Sequence, residues 1–389
     1  MPDGRNVGGP RVDPVEEHAA AEAAEARHAI EQKRWDRVIQ IVTPFVSVAI
    51  ALLISSLMIR ASGSDPIAAF SAMFNGAFGS QRAIGETLIR ATPILFTGLA
   101  VGFGFRAGLF NIGAEGQLFL GALAAAYLGV VLGGMGWYVA LPASLIAAAL
   151  AGAAWAFIPA LLKARTGAHE VITTMMFTYI GRYLVDWVIV YLIMAPGSVP
   201  QTVELPAASR LPRFSDLLPF LEPSRGHMGF LLGVLAAIAV WAILRSTVFG
   251  YEARAVGFNQ SAAENGGISV SRMTIKALCF SGALAGLAGA AEVMGVHYRL
   301  FSSFSPGFGF TGIAVALLAK NNPVAMIASA LLFGAMGAGS GTMQLETDVS
   351  PKVVLLVQGI IVFLVGAETI VTWAVGRVRR KREAVAVAA

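Results

Sequence analysis

Apolar residues fall in ten blocks along the chain, at residues 38–59, 84–105, 109–132, 137–162, 171–194, 228–244, 273–296, 309–319, 323–339 and 353–373. Most blocks run for about twenty residues with no polar face, enough to cross roughly 30 Å of hydrocarbon at about 1.5 Å per helical residue. The pattern predicts an all-α, polytopic membrane protein with about ten transmembrane helices. Some should be broken or short, because block 309–319 is too brief to span unaided and glycines interrupt 105–121. Residues 1–37 read as a polar leader, 38–376 as the transmembrane domain and 377–389 as a basic tail. The polar leader and the long apolar run behind it argue against a cleaved signal peptide.

Composition agrees: 56% of the 389 residues are hydrophobic and 13% charged, against roughly 25% charged in a soluble domain. A net charge of +5 could suggest nucleic acid, but its placement favours a topology signal. Lys33, Arg34 and Arg37 precede the first block, Lys163 and Arg165 follow the fourth, Arg245 and Arg254 follow the sixth, and Arg377 to Arg382 follow the tenth. An even number of spans puts all of them on one side. The positive-inside rule makes that side the cytoplasm, with both termini there and the basic tail against anionic lipid. The proline-rich loop 195–227 is then extracytoplasmic, and the glycine-punctuated loop 246–272 is cytoplasmic. The single Cys279 excludes an internal disulfide, and five scattered histidines give no metal spacing.

Two stretches are too polar and too rich in glycine for plain spans. "FRAGLFNIGAEGQLFLG" (105–121) places Asn111, Glu115 and Gln117 among Gly108, Gly113 and Gly116; "FSPGFGFTGIAVALLA" (304–319) is its counterpart in the second half. Irregular backbone at membrane depth is tolerated only where it is buried in protein or lines a watery cavity, and interrupted spans in both halves point to a transport path. Asn111, Glu115, Gln117 and Thr311 are therefore expected to supply polar contacts to a neutral, hydroxyl-rich solute, with Phe308 or Phe310 as an aromatic face. The other reading of 106–115 is a cytoplasmic turn between two spans.

The inner loop reads "FGYEARAVGFNQSAAENGGISVSRM" (249–273). Asn259 suits an N-cap, 260–265 is helix-compatible, and Gly266 with Gly267 supplies a left-handed stop. A helix this short must pack on something, either its own bundle or a soluble partner. "YEARAVGFNQSAAENGGIS", together with "FRAGLFNIGAEGQLFLGALAAAYLG" and "GFGFTGIAVALLAKNNP", resembles the permease subunits of bacterial ABC importers for simple sugars and nucleosides, the longer nucleoside type in particular. The resemblance runs from about Val38 to Trp373. It implies a ten-span permease in the bacterial cytoplasmic membrane, whose inner loop carries a coupling helix for a separate ATPase subunit. By position, Gly257, Asn259, Ala262, Ala263 and Gly266 would form the coupling element, with Glu252 and Arg254 at its edge. The implied partners are the ATPase, a second and unlike permease subunit, and an extracytoplasmic binding lipoprotein.

Other signals lead elsewhere. "GFGFTG" (307–312) matches the dinucleotide fingerprint but lacks its preceding strand and later acidic residue. No G-x-x-x-x-G-K-[ST] segment occurs, so ATP is expected on the partner subunit and no cofactor on this chain. "HEVIT" (169–173) lacks the second histidine of a zinc helix. Gly282, Gly286 and Gly289 form a small-residue stripe expected to pack helices closely. Arg182 and Asp186, spaced i,i+4, are expected to form a structural ion pair in the fifth block. An ion-coupled secondary transporter would use mid-span carboxylates, for which Glu292 and Asp186 are the candidates, but it leaves the inner loop without a purpose. An intramembrane enzyme would need paired carboxylates, a metal set or an activated nucleophile; the sequence offers none.

Overall fold

The computed structural model describes Val42 and residues 45–217 and 223–366. The leader 1–37, the basic tail 377–389 and the far ends of the first and tenth blocks lie outside the described residues. Residues Ala51–Gly366 form one compact unit, which carries the site described below.

The described residues form helices α1 (Phe45–Ala61), α2 (Pro66–Phe78), α3 (Gln81–Arg106), α4 (Ala114–Val131), α5 (Trp137–Thr166), α6 (Glu170–Tyr191), α7 (Phe214–Leu217), α8 (Gly229–Ser246), α9 (Val248–Phe258), α10 (Gln260–Asn265), α11 (Val270–Glu292), α12 (Phe308–Leu318), α13 (Pro323–Thr347) and α14 (Lys352–Gly366). Only isolated bridges, Gln201 to Phe301 and Arg213 to His227, pair strands among them. The protein is all-α, and each of the ten apolar blocks carries a helix.

Two features depart from the expected pattern. Helix α2 lies between the first two apolar blocks, where the pattern assigns no element. Asp65 caps it by accepting from the Ile67 N–H at 3.0 Å, Pro66 presets its first turn, and it leaves α1 at 119°. Six helices, α3, α4, α5, α8, α11 (with its π-turn) and α13, are long and apolar enough to span alone, and the bent α1–α2 pair makes a seventh. Against the expected ten, α6 misses because Arg182 and Asp186 lower its hydropathy, whereas α12 and α14 are short.

Helices α3 and α11 form the core, buried along most of their length. Lipid chains are as apolar as leucine, so close packing must hold the bundle together. The α11 stripe supplies it as expected: Gly282 and Gly286 press on Ala148 and Gly152 of α5, and Gly289 on Leu118 of α4. Helix α8 instead buries Gly233, Ala237, Val240 and Leu244 and leaves Leu231, Leu235, Ile238 and Trp241 exposed in a line.

The bundle has two unlike ends. Arg106, Lys163, Arg165, Arg245, Arg254 and Arg272 gather at one, with α9 and α10. The other carries the connection between α6 and α8, which folds onto the bundle. The Ser209 hydroxyl donates to the Gly129 carbonyl at 2.6 Å, and Leu205 and Leu211 are buried.

Candidate functional site

Helix α3 stops at Arg106 and α4 starts at Ala114. Gly108, at φ +72°, turns the chain at the basic end, and the backbone then re-enters the bundle. Asn111 is completely buried there. Its Nδ2 donates to Gln117 Oε1 and to Ser281 Oγ, both at 2.8 Å; its Oδ1 accepts from the Gly113 N–H at 3.0 Å and from Gln117 Nε2 at 3.1 Å. The Ser281 hydroxyl in turn donates a hydrogen bond to the Ala100 carbonyl at 2.6 Å. The stretch divides between a turn and a buried segment. Arg106 to Gly108 make a surface turn, while Asn111 and Gln117 sit inside in a closed network instead of on an open polar wall.

The second break follows α11, which widens into a π-turn at Val293–His297 before Tyr298 turns left-handed at φ 55°. Carbonyls freed by the break are taken up by the folded loop. The Leu211 N–H donates to Met294 at 2.9 Å and the Leu205 N–H to Tyr298 at 2.7 Å. Ser303 (φ 56°) and Gly307 (φ 102°) lead into α12, and Lys320 and Asn321 (φ 50° and 57°) lead out of it. Left-handed non-glycine residues on both sides of an 11-residue helix mark a segment held by its surroundings. At about 16 Å, α12 reaches only halfway across the hydrocarbon.

The two breaks meet. Glu115, in the first turn of α4 and 4% exposed, accepts from the Gly309 N–H at 2.5 Å. The Ser305 hydroxyl and the Arg182 guanidinium lie near enough to act on the same carboxylate. Ser305 also accepts from the Phe308 N–H at 3.3 Å, and Thr97 donates to the Phe308 carbonyl at 2.9 Å. Phe308 is buried, Thr311 half-buried and Phe310 41% exposed. Of the six expected path residues, Phe310 and Thr311 thus face outward, and Glu115 bridges the halves.

The expected ion pair between Arg182 and Asp186 does not form. Arg182 donates instead to Ser303 Oγ at 2.8 Å, because the second break lies within its reach, and Asp186 Oδ1 is buried without a hydrogen-bond partner among the described residues. Glu292 faces His297, 3.3 Å from its Nε2. Sequence reasoning missed Ser303, Ser305, Thr97 and Ser281. Hydroxyls are common in apolar helices, and only the contact across the breaks singles these out.

His227, next to α8, is 1% exposed. Its Nδ1 accepts from the Gly229 N–H at 3.1 Å, which leaves the proton on Nε2 without a partner among the described residues. Burial first, then the charge of Arg213, pushes its pKa down to about 4. The imidazole is neutral and wedged against Gly295 of the π-turn.

At the basic end the short helix is α10, with the limits expected of it. Asn259 Oδ1 accepts from the Ala262 N–H at 3.0 Å; Gly266 is right-handed, and Gly267, at φ +84°, makes the left-handed turn. Ala262 is exposed, whereas Ala263 is 5% exposed and seats the helix on its own chain. The preceding α9, in a stretch that the glycine pattern predicts as loop, holds Glu252 half-buried and packs Gly257 on the first break. A Cβ on Gly108 would lie 3.0 Å from the Gly257 Cα, and one on Gly257 would collide with the Arg106 carbonyl. Helices α9 and α10 are thus joined, backbone to backbone, to the turn that leads to Asn111 and Glu115.

Comparison with known proteins gives the context. Residues 83–366 match the family described as branched-chain amino acid transport system / permease component. The chain is 37% identical to the guanosine ABC transporter permease protein NupP of Bacillus subtilis, over 89% of this chain and 98% of that one. It is 35% identical to the glucose ABC transporter permease protein TsgB13 of Haloferax volcanii, over 86% and 89% of the two chains. It is 31% identical to the nucleoside ABC transporter permease protein NupB of Lactococcus lactis, over 85% and 92%. No solved structure matches significantly.

Proposed function

The chain belongs to the branched-chain amino acid transport system permease component family, and from that membership we propose that it is the membrane subunit of an ATP-driven importer for a nucleoside or related simple sugar. It is a multi-pass transport subunit and not an enzyme. The basic end faces the cytoplasm of a bacterial cell with both termini, and ten spans cross the membrane, α12 being one that does so only in part. ATP is bound and hydrolysed by a separate ATPase seated on α10, and this chain holds no cofactor. A binding lipoprotein delivers solute to the opposite face. Pairs of permease proteins named for one substrate, NupP with NupQ and NupB with NupC, support a second, unlike permease beside this one.

The observation that carries this reading is the backbone contact between Gly257 and the Arg106–Gly108 turn. A displacement of α10 by the ATPase reaches the first break through rigid packing, and through Glu115 and Gly309 it reaches the second. Phe310 and Thr311, on the outward face of α12, line the path with the partner permease. An aromatic ring beside a hydroxyl suits a base or a sugar.

The test is uptake by proteoliposomes holding this chain with its ATPase, partner permease and binding protein, offered nucleosides, glucose and branched-chain amino acids. Ala262→Arg should abolish ATP-driven uptake and stimulation of the ATPase by the binding protein, while membrane insertion survives. Uptake that persists in that variant, or that runs on an ion gradient after ATP is removed, would overturn the proposal.

A further inference from the structure

Beside α10 but apart from it, a cavity of about 190 Å³ opens at the basic end between the ends of α3 and α8, the middle of α9 and the start of α13. Arg106, Arg245 and Arg254 line it with Trp241, Asn322 and Pro323. Among the described residues none of the three arginines is in an ion pair. Arg106 spends only Nε, on the Asn321 carbonyl at 3.0 Å, and Arg254 spends only Nε, on Gly250 at 3.4 Å. Arg245 lies over the Trp241 ring, 5.4 Å from its centroid. The 25-residue α13 begins here with its positive end toward the cavity.

Three guanidinium groups around one cavity repel one another unless an anion sits between them. Their planar forks fit a phosphate or carboxylate. The surroundings distinguish which. Leu231, Leu235, Ile238 and Trp241 are exposed along one face of α8, and this apolar line ends at the cavity. A tryptophan at the end of an apolar stripe, with arginines just beyond it, is the chemistry of a headgroup boundary. We infer that this cavity binds the phosphate headgroup of an anionic phospholipid of the inner leaflet, whose acyl chain lies along the exposed face of α8. Arg254 then belongs to a lipid site next to the coupling helix and not to the ATPase contact. The lipid joins α9 to the ends of α3, α8 and α13.

The purified full-length chain, stripped of lipid in neutral detergent, is titrated with phosphatidylglycerol or phosphatidylcholine of the same acyl composition, and bound lipid is counted by native mass spectrometry. Each arginine near a membrane surface adds about a fivefold preference for anionic lipid, so the wild type should prefer phosphatidylglycerol by about a hundredfold. The Arg106→Gln, Arg245→Gln, Arg254→Gln triple variant should lose that preference. Arg165→Gln with Arg272→Gln, at the same end but outside the cavity, should keep it. Equal binding of the two lipids to the wild type would overturn the inference even if the triple variant fails to fold. So would undiminished preference in a folded triple variant, displacement of phosphatidylglycerol by inorganic phosphate alone, or its expulsion when the ATPase docks.

Discussion

Replacing Asn111 with leucine removes all four hydrogen bonds of a fully buried amide. Ser281 keeps its bond to Ala100, but the Gly113 N–H and both ends of the Gln117 amide lose their Asn111 partners in a place water does not reach. Each stranded buried group costs about 1–3 kcal/mol, so the variant should be destabilised by about 4 kcal/mol, which for a chain of this size lowers the melting temperature by roughly 5 °C. Asn111→Leu with Gln117→Leu leaves only the Gly113 N–H stranded, and should recover about two-thirds of that loss. The double variant is thus expected to be more stable than the single one. Melting in detergent, followed by fluorescence-detected size-exclusion chromatography, compares the wild type, both single variants and the double. If Asn111→Leu melts like the wild type while uptake falls, the amide serves the solute and not the fold, and the closed network is the wrong description. A double variant whose loss is the sum of the single losses would refute the coupling.

Glu115→Ala should cost up to about 3 kcal/mol by removing the buried acceptor of the Gly309 N–H, whereas Glu115→Gln, which keeps an acceptor, should cost less than half as much; equal melting losses would refute the bridge between the breaks. His227, neutral when folded with a pKa of about 4, protonates more readily unfolded, near 6.5. Stability is therefore lost as pH falls from about 6.5 through about 4, by up to about 3 kcal/mol, and His227→Phe should melt with a shallower acid dependence than wild type; parallel curves would refute this. Cysteine at exposed Ala207, in a Cys279→Ala background, should react with an impermeant maleimide on whole cells far faster than cysteine at buried Ser209; labelling only after cell lysis would invert the proposed orientation.

Much of this protein is set by local sequence. Runs of apolar residues as long as a bilayer is thick determine the all-α membrane class, because lipid leaves the backbone no other way to satisfy its polar groups. The limits of α10 are equally local: Asn259 caps, and the two glycines stop, a helix whose start and end lie within eight residues. The resemblance carried by three short blocks reached the family for a related reason, since glycine and asparagine at turns leave a recognisable order. Helix α2 lies outside the ten apolar blocks because its thirteen residues include Asn75 and Gly76, although its Asp65 cap and Pro66 start are local signals as well. What the sequence could not hold is which polar atoms meet. Asn111 finds Ser281 across 170 positions, Glu115 finds Gly309 across 194, and Arg182 turns from Asp186, four residues away, to Ser303, 121 away. Those choices belong to the tertiary structure, because a buried polar group takes whichever partner the close packing of α3, α4, α11 and α12 brings within 3 Å, and the packing depends on all four helices at once.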